Sequence, residues 1–249
     1  MEKLVLVGTS SLAAQTLDFV ERYQLFDVIG FTVNEAYIKE PVYLGKPVFP
    51  IEELNNYIDK KSVKLFSTVT WYNYLNRERK KIFDQLKKEG YMFANLISPH
   101  ALVYSTDIGE GNWIHDYAHI GYGVHIGNDN VFRMKCVIGH DSVVGNHNFF
   151  GVDSVVGGHD YFCDCNFVGL RALILNSVAV GNKCVIGGGT VIKRDLPDFS
   201  LCVADNSFVK QCDEQKIETY ISPKHLQRSV EDFNKMVSDK KGIEEENRG

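Results

Sequence analysis

The 249-residue chain has no apolar run long enough to span a membrane and no dense cluster of lysine and arginine. A bilayer span needs about 20 consecutive apolar residues, so membrane insertion is not expected. A net charge of -5 with dispersed basic residues also makes nucleic acid an unexpected partner. The opening KLVLVG lacks the layout of a signal peptide. These absences predict a cytoplasmic protein.

The six cysteines include no CxxC pair, and the spacing of Cys163 and Cys165 is too tight for an ordinary zinc knuckle. Reduced thiols and no structural metal are therefore expected.

A large apolar residue does recur at every sixth position between residues 102 and 192. Neither the helical spacing of three and four nor the strand spacing of two explains this period. Short strands separated by corners explain it, with each apolar residue pointing inward and a following glycine permitting the corner's backbone conformation. Three strands per coil predict a triangular solenoid of about five coils, in which residues eighteen apart are stacked. The sixteen positions are Leu102, Ile108, Ile114, Ile120, Ile126, Phe132, Ile138, Val144, Phe150, Val156, Phe162, Val168, Ile174, Val180, Ile186 and Ile192.

Residues 1–95 follow another pattern, in which apolar strands alternate with amphipathic helices. KLVLV, DVIGFTV and VKLFSTV read as strands, GKPVFPIEEL as a turn into a short helix, and NRERKKIFDQLKKEG as a helix that ends at Gly90. The alternation predicts a small, Rossmann-like α/β domain with a parallel sheet. The turn GTSSLA opens a helix capped by Ser10 or Ser11, which is a natural phosphate site. It contains a single glycine, so a packing turn and a ligand-binding turn both remain open.

His140 is the histidine whose surroundings indicate chemistry. It follows Gly139 in VIGHDSVVG, faces outward and precedes Asp141. A neutral imidazole can remove a proton near neutral pH, and a neighbouring carboxylate raises its basicity. Gly158 stacks on His140, where it leaves open space and can offer a backbone N–H to an oxyanion. The alternative is that Gly158 only sharpens a corner. His159 stacks on Asp141.

These features together resemble the NeuD/PglD-like sugar acetyltransferases, which are hexapeptide-repeat enzymes with a left-handed parallel β-helix. The α/β front, the LISPHA junction, the hexads and GHDSVVG carry the resemblance over residues 1–205. It implies a substrate domain at 1–95 that binds a nucleotide-sugar and a catalytic β-helix at 96–205 that binds acetyl-CoA. The implied site residues are His140 as general base, Asp141 as its partner, Gly158, Leu170 and Gly188 on coenzyme A, and Gly8, Ser10 and Ser11 on the nucleotide-sugar.

The activity implied by the resemblance is acetyl-CoA-dependent acetylation of a sugar for bacterial surface glycans. An amino sugar is favoured over a hydroxyl acceptor, the assembly is expected to be a homotrimer, and no metal is expected. The sequence departs from the family at the single glycine of its first turn. It also has Thr32, Val33 and Asn34 where an acidic residue is usual. Phe149 replaces a polar residue, which is expected to reshape the acyl or sugar pocket.

Two other functions stay open from the sequence. A metal-dependent hydratase of the carbonic-anhydrase kind needs three histidines that meet at a subunit seam. A non-catalytic solenoid that binds a glycan or a protein partner needs no catalytic residues and would not bind acetyl-CoA. The remaining residues, 206–249, read as a helical extension capped at Ser222, with Leu226, Val230, Phe233 and Val237 in one stripe, followed by a charged tail.

Overall fold

The computed structural model describes residues 1–69, 73–204, 208–211 and 213–216. The front domain is a five-stranded sheet in the order β3-β4-β2-β1-β5, flanked by two α-helices. All its strands are parallel except β3, which is antiparallel to β4. Its strands are β1 (Lys3–Val7), β2 (Asp27–Val33), β3 (Val42–Tyr43), β4 (Lys46–Pro50) and β5 (Val63–Ser67). Its helices are α1 (Ser11–Arg22), α2 (Arg77–Lys88) and three 3-10 helices at Glu35–Tyr37, Ile51–Asn56 and Asn73–Asn76.

The three predicted strands and two predicted α-helices of this domain are confirmed, and the structure decides between the two candidate caps. Ser10 is the N-cap of α1, and its hydroxyl accepts a hydrogen bond from the Leu12 N–H at 3.3 Å. Gly90 ends α2 with a φ of +88°. The prediction for GKPVFPIEEL was incomplete, since Lys46–Pro50 pairs with β2 as a strand before the 3-10 helix begins. Two prolines within these five residues argue against a strand in the sequence, because proline has no N–H to donate to a neighbouring strand.

The second part is a left-handed parallel β-helix of two-residue strands with an eighteen-residue repeat, as His119 pairs with Val137 and Val137 pairs with Val155. Three flat sheets result, in the orders β7-β10-β13-β16-β19-β22, β8-β11-β14-β17-β20 and β6-β9-β12-β15-β18-β21-β23-β24. The strands are β6 (Leu96–Ile97), β7 (Leu102–Val103), β8 (Asp107–Ile108), β9 (Trp113–Ile114), β10 (His119–Ile120), β11 (His125–Ile126), β12 (Val131–Phe132), β13 (Val137–Ile138), β14 (Val143–Val144), β15 (Phe149–Phe150), β16 (Val155–Val156), β17 (Tyr161–Phe162), β18 (Phe167–Val168), β19 (Leu173–Ile174), β20 (Ala179–Val180), β21 (Val185–Ile186), β22 (Val191–Ile192), β23 (Ser200–Val203) and β24 (Phe208–Gln211).

The predicted inward positions are correct except at the first. Leu102 is 54% exposed, and its neighbour Val103 packs on the coil interior and pairs with Ile120. The coils also continue past Ile192, because Leu196 and Cys202 are buried in the same core. The last coil is two residues shorter than the eighteen-residue repeat, since Ile186 pairs with Cys202. The predicted helix at the C-terminus, from Pro223 to Val237, lies outside the described residues.

The glycines that follow the inward residues have a different role from the predicted one. Gly127, like its equivalents, does not have a positive φ; a Cβ there would lie 2.5 Å from the Gly145 carbonyl oxygen of the next coil. Close approach between coils therefore requires glycine. The left-handed corner residue comes two positions later and is usually not glycine. Such corner residues include Tyr117, Asp129, Lys135, Asp141, His147, Asp153, His159, Cys165, Arg171, Ser177 and Lys183.

A buried ladder of asparagines runs along one corner. Each Oδ1 accepts the backbone N–H of the residue eighteen positions later, as in Asn148 N–H to Asn130 Oδ1 at 2.8 Å. The ladder supplies acceptors inside the solenoid, where an unpaired N–H would be costly. Its rungs are Asn112, Asn130, Asn148 and Asn166.

The front domain covers the third sheet of the solenoid. The outward residues of that sheet, among them Trp113, Val131 and Phe149, share one core with Leu4, Phe19 and other residues of the front domain. Phe149 is 7% exposed and stacks on Phe167, with ring centroids 5.3 Å apart. The expectation that Phe149 reshapes an acyl or sugar pocket is therefore wrong, because its ring is used to join the two domains.

The two glycine roles predict opposite outcomes for two exchanges. Gly127→Ala places a methyl group against backbone that cannot move aside, so we expect a loss of about 1–3 kcal/mol in the free energy of unfolding. Lys135→Gly puts glycine at a φ of +60° and should change that free energy by less than about 1 kcal/mol. Urea denaturation of both variants measures the difference. Equal, small effects would contradict the close-approach explanation.

Candidate active site

His140 and Asp141 form a hydrogen-bonded pair at the corner that follows β13. His140 Nδ1 lies 2.9 Å from Asp141 Oδ2, and both side chains are about half exposed. Because the carboxylate only accepts, Nδ1 carries the hydrogen and Nε2 of the neutral ring is left with its lone pair. Asp141 has a φ of +55°. A neutral imidazole held in one tautomer by a carboxylate can act as a general base.

Two glycines make room for this pair. A Cβ on Gly158, one coil above, would lie 2.7 Å from His140 Nε2 and within 3.0 Å of two ring carbons. A Cβ on Gly123, one coil below, would collide with the Asp141 carboxylate, and Gly123 also has a φ of +70°. The imidazole and the carboxylate therefore lie over bare backbone. Gly123 was missed in the sequence, although it lies eighteen residues before Asp141.

The Gly158 backbone N–H is engaged in this structure. It donates to Asn176 Oδ1 at 3.1 Å, and Asn176 is exposed one coil further along the same stack. A role for Gly158 as oxyanion donor therefore requires the Asn176 side chain to release this N–H. The eighteen-residue register would have identified Asn176 from the sequence.

His159 completes a small cluster at this corner. Its ring meets that of His140 edge to face, with centroids 4.9 Å apart. Nitrogen and oxygen atoms of His140, Asp141 and His159 all lie within 4.8 Å of one another, the sole such group found across the described ranges. The group has two histidines and one carboxylate in a single chain, whereas the hydratase hypothesis needs three histidines across a seam.

Leu170 and Gly188 do stack on each other, but at a different corner. Leu170 follows β18 and is 61% exposed, and its carbonyl accepts the Gly189 N–H at 2.8 Å. The strands β18 and β21 belong to the sheet that the front domain covers, whereas His140 follows a strand of another sheet. One chain therefore does not bring Leu170 and Gly188 next to His140.

Gly8 lines the larger cleft of the front domain, which has a volume of about 390 Å³. A Cβ on Gly8 would lie 2.5 Å from Thr68 Oγ1, and the φ of Gly8 is +122°, so both space and conformation require glycine. Ser10 and Ser11 are not among the described lining residues; Ser10 caps α1 and Ser11 begins it. The lining consists of Val7, Gly8, Thr32, Val33, Asn34, Tyr37, Ile51, Val69, Glu78, Lys81, Ile82 and Gln85.

A second cleft, of about 240 Å³, lies between α1 and the coils and includes His115, Arg133 and Met134. The His115 ring stacks on Trp113, and its Nε2 lies 2.9 Å from Arg133 Nη1. Burial and, to a smaller extent, the charge of Arg133 together lower the pKa of His115 to about 2. His115 is therefore a neutral acceptor for the guanidinium. Burial lowers the pKa of Arg133 to about 10.

Across the described ranges, no helix combines the length and apolar character that crossing a bilayer requires.

Comparison with known proteins agrees with this architecture. Residues 105–140 match the model of the bacterial transferase hexapeptide (six repeats). A histidine-to-asparagine variant of perosamine N-acetyltransferase from Caulobacter crescentus, solved with CoA and GDP-perosamine, superposes with a TM-score of 0.72 at 23% identity, covering 84% of this chain and 97% of that one. The acetyltransferase domain of PglB from Neisseria gonorrhoeae, in complex with acetyl coenzyme A, gives 0.70 at 19% identity, with 85% and 99% covered. WeeI from Acinetobacter baumannii gives 0.69 at 15%, with 84% and 100% covered.

The chain has the fold of these acetyltransferases. The predicted fold, an α/β domain followed by a left-handed β-helix, is thereby confirmed over the described residues.

The buried His115 makes stability depend on pH. Its pKa is about 2 in the folded chain and ordinarily about 6.5 in an unfolded one. Below about pH 6.5 only the unfolded chain takes up this proton. The free energy of unfolding therefore decreases by up to about 1.4 kcal/mol for each unit by which the pH is lowered. His115→Gln keeps an acceptor near Arg133 but does not titrate, and its unfolding free energy should fall less between about pH 6.5 and 5. Parallel curves in urea denaturation would contradict the assignment.

Proposed function

We propose that this chain is a cytoplasmic, acetyl-CoA-dependent N-acetyltransferase that acts on a nucleotide-linked amino sugar for bacterial surface glycans. The observation that carries the proposal is the His140–Asp141 pair, which leaves Nε2 basic on an open corner of a β-helix. Relatives with the same fold support the choice of donor and acceptor, since one was solved with CoA and GDP-perosamine and another with acetyl coenzyme A.

His140 Nε2 removes one proton from the acceptor amine as the amine nitrogen attacks the thioester carbonyl carbon. The C–N bond forms, the carbonyl oxygen becomes an oxyanion, and the ring becomes an imidazolium. Asp141 stabilises that cation through the Nδ1 hydrogen bond. The C–S bond then breaks, the carbonyl reforms, and the imidazolium returns its proton to the leaving sulfur of coenzyme A. The Gly158 N–H, which lies on the coil beside the ring, is assigned to the oxyanion once the Asn176 side chain releases it.

A second copy of the chain completes the coenzyme A site. Leu170 and Gly188 line the track for the pantetheine arm, and a neighbouring copy brings its own His140 to their corner. The sheet that contains β13 presents apolar outward residues to such a neighbour, among them Leu102, Val155 and Val191, all exposed here. A head-to-tail contact of this kind leaves no open edge when it closes into a ring, and the homotrimer implied by the family resemblance is such a ring.

The larger front cleft holds the nucleotide of the acceptor. Gly8 lets the ligand approach the backbone at the end of β1. Ser10 and Ser11, outside the described lining, form the N-terminus of α1, where backbone N–H groups attract the phosphates of a ligand that extends from the cleft. Lys81 of α2 adds a cation to the lining of the cleft. A non-catalytic solenoid would bind neither acetyl-CoA nor a nucleotide-sugar, and calorimetry with each ligand distinguishes it from the enzyme.

Removing the base should leave a folded, inactive protein. His140→Ala truncates a half-exposed side chain, so the unfolding free energy should hardly change. General-base catalysis contributes about two to four orders of magnitude, and we expect a loss of that size in kcat rather than in KM. Asp141→Asn should cause a smaller loss. The measurement is acetyl transfer from acetyl-CoA to a panel of nucleotide-linked amino sugars, and a kcat near that of the unmodified chain would remove His140 from the mechanism.

The homotrimer places a neighbour on the β13-containing sheet. Val155→Glu buries a charge in that contact and should lower both the mass measured by light scattering and kcat. Val42→Glu introduces the same charge at an exposed site of the front domain and serves as the control. A trimeric, fully active Val155→Glu variant would contradict the assigned contact, and an active monomer of the unmodified chain would contradict the shared site.

A further inference from the structure

A carboxylate reaches the end of β2 from a distant part of the sequence. Glu52 belongs to the 3-10 helix that follows β4, and its Oε1 accepts the Asn34 side-chain Nδ2 at 3.0 Å. Its Oε2 accepts the Glu35 backbone N–H at 3.0 Å. Asn34 itself lines the larger cleft. The sequence at the end of β2 has no acidic residue before Glu35, but the fold supplies one behind Asn34.

This contact decides which atom Asn34 can offer to a ligand. A carboxylate has no hydrogen to donate, so the amide must turn its Nδ2 toward Glu52. These hydrogen bonds, that of Asn34 above all, hold the pKa of Glu52 below its ordinary value and keep it charged. Oδ1 then remains for the cleft, and none of the described residues donates a hydrogen bond to it. Asn34 therefore acts as an oriented acceptor.

The position of this acceptor relative to the first turn matches a ribose site. The Gly8 N–H donates to the Thr32 carbonyl at 2.8 Å, so the turn after β1 and the end of β2 are direct neighbours. In nucleotide-binding α/β sheets, phosphates lie over the first turn, and an acidic residue after the second strand accepts the ribose 2′-hydroxyl. Here Asn34 Oδ1 is the acceptor at that place, with Glu52 behind it.

We propose that Asn34, oriented by Glu52, accepts a hydrogen bond from the 2′-hydroxyl of the ligand's ribose. The cleft thereby selects ribonucleoside diphosphate sugars over their 2′-deoxyribonucleoside counterparts. This inference rests on the proposed function of the cleft as the nucleotide site, and it adds the class of nucleotide.

The test compares matched ribose and deoxyribose ligands on the full chain by calorimetry: GDP with 2′-deoxy-GDP, and UDP with 2′-deoxy-UDP. One hydrogen bond corresponds to about three- to tenfold in affinity, and we expect the ribose form to bind more tightly by that factor. Asn34→Ala should weaken only the ribose form and abolish the difference. Glu53→Gln removes a neighbouring exposed carboxylate and should leave the difference unchanged.

An exchange of the two side chains tests the orientation. Asn34→Asp alone places two carboxylates against each other and should weaken both ligands. Adding Glu52→Gln supplies a donor to the new carboxylate, which then presents an acceptor oxygen as Asn34 does. The double variant should recover the preference for ribose. A purely structural role for Glu52 would not restore ligand selectivity in this exchange.

The outcomes separate the inference from the function on which it rests. Equal binding of ribose and deoxyribose forms by the unmodified chain overturns the inference and leaves the nucleotide site standing. A ribose preference that persists in Asn34→Ala also overturns it, because another group would then read the 2′-hydroxyl. Binding of none of the four nucleotides overturns both the inference and the proposed acceptor site.

Discussion

Each coil of the solenoid must lie directly on the coil before it, because the backbone hydrogen bonds of its short strands are all made between coils. Gly139 N–H, for example, donates to the Val156 carbonyl at 2.9 Å. This contact fixes the repeat at eighteen residues and brings the corners so close that glycine is required where one backbone crosses the next. At one corner, the side chains of the asparagine ladder accept hydrogen bonds from backbone N–H groups that strand pairing leaves without a partner.

The same stacking builds the corner that holds the His140–Asp141 pair. The His140 ring fits only because the residue stacked above it, Gly158, has no side chain. The Asp141 carboxylate fits only because the residue stacked below it, Gly123, has none; each glycine is eighteen residues from its partner. The left-handed φ of Asp141 belongs to the corner itself, since the equivalent residue of most corners has it too. The backbone turn that every coil makes thus brings the Asp141 carboxylate to the imidazole, and only the side chains distinguish this corner from the others.

A fixed period explains which parts of the structure could be read from the sequence. Stacking partners follow from counting by eighteen, so the stacking of Gly158 on His140 was predicted. The same count would have identified Asn176 as the next residue in that stack. Contacts between separate elements have no such rule. The burial of Phe149 under the front domain and the approach of Glu52 to Asn34 depend on tertiary packing. The period also fails at both ends, where Leu102 and Leu196 depart from it because the coils there are closed by shorter connections.

The helix α2 ties the front cleft to the coils. One side of it supplies Glu78, Lys81 and Gln85 to the cleft. From another side, Arg79 Nε donates to Asp129 Oδ2 at 3.0 Å, and His147 Nδ1 lies 2.8 Å from the same oxygen, all three side chains being buried. Desolvation offsets much of the attraction in such a cluster, so we expect it to fix the docking geometry of α2 on the coils more than to add stability. Because the partners of Arg79 are corner residues of the solenoid, the cleft wall is held in register with the coils, and so with the corner that bears His140.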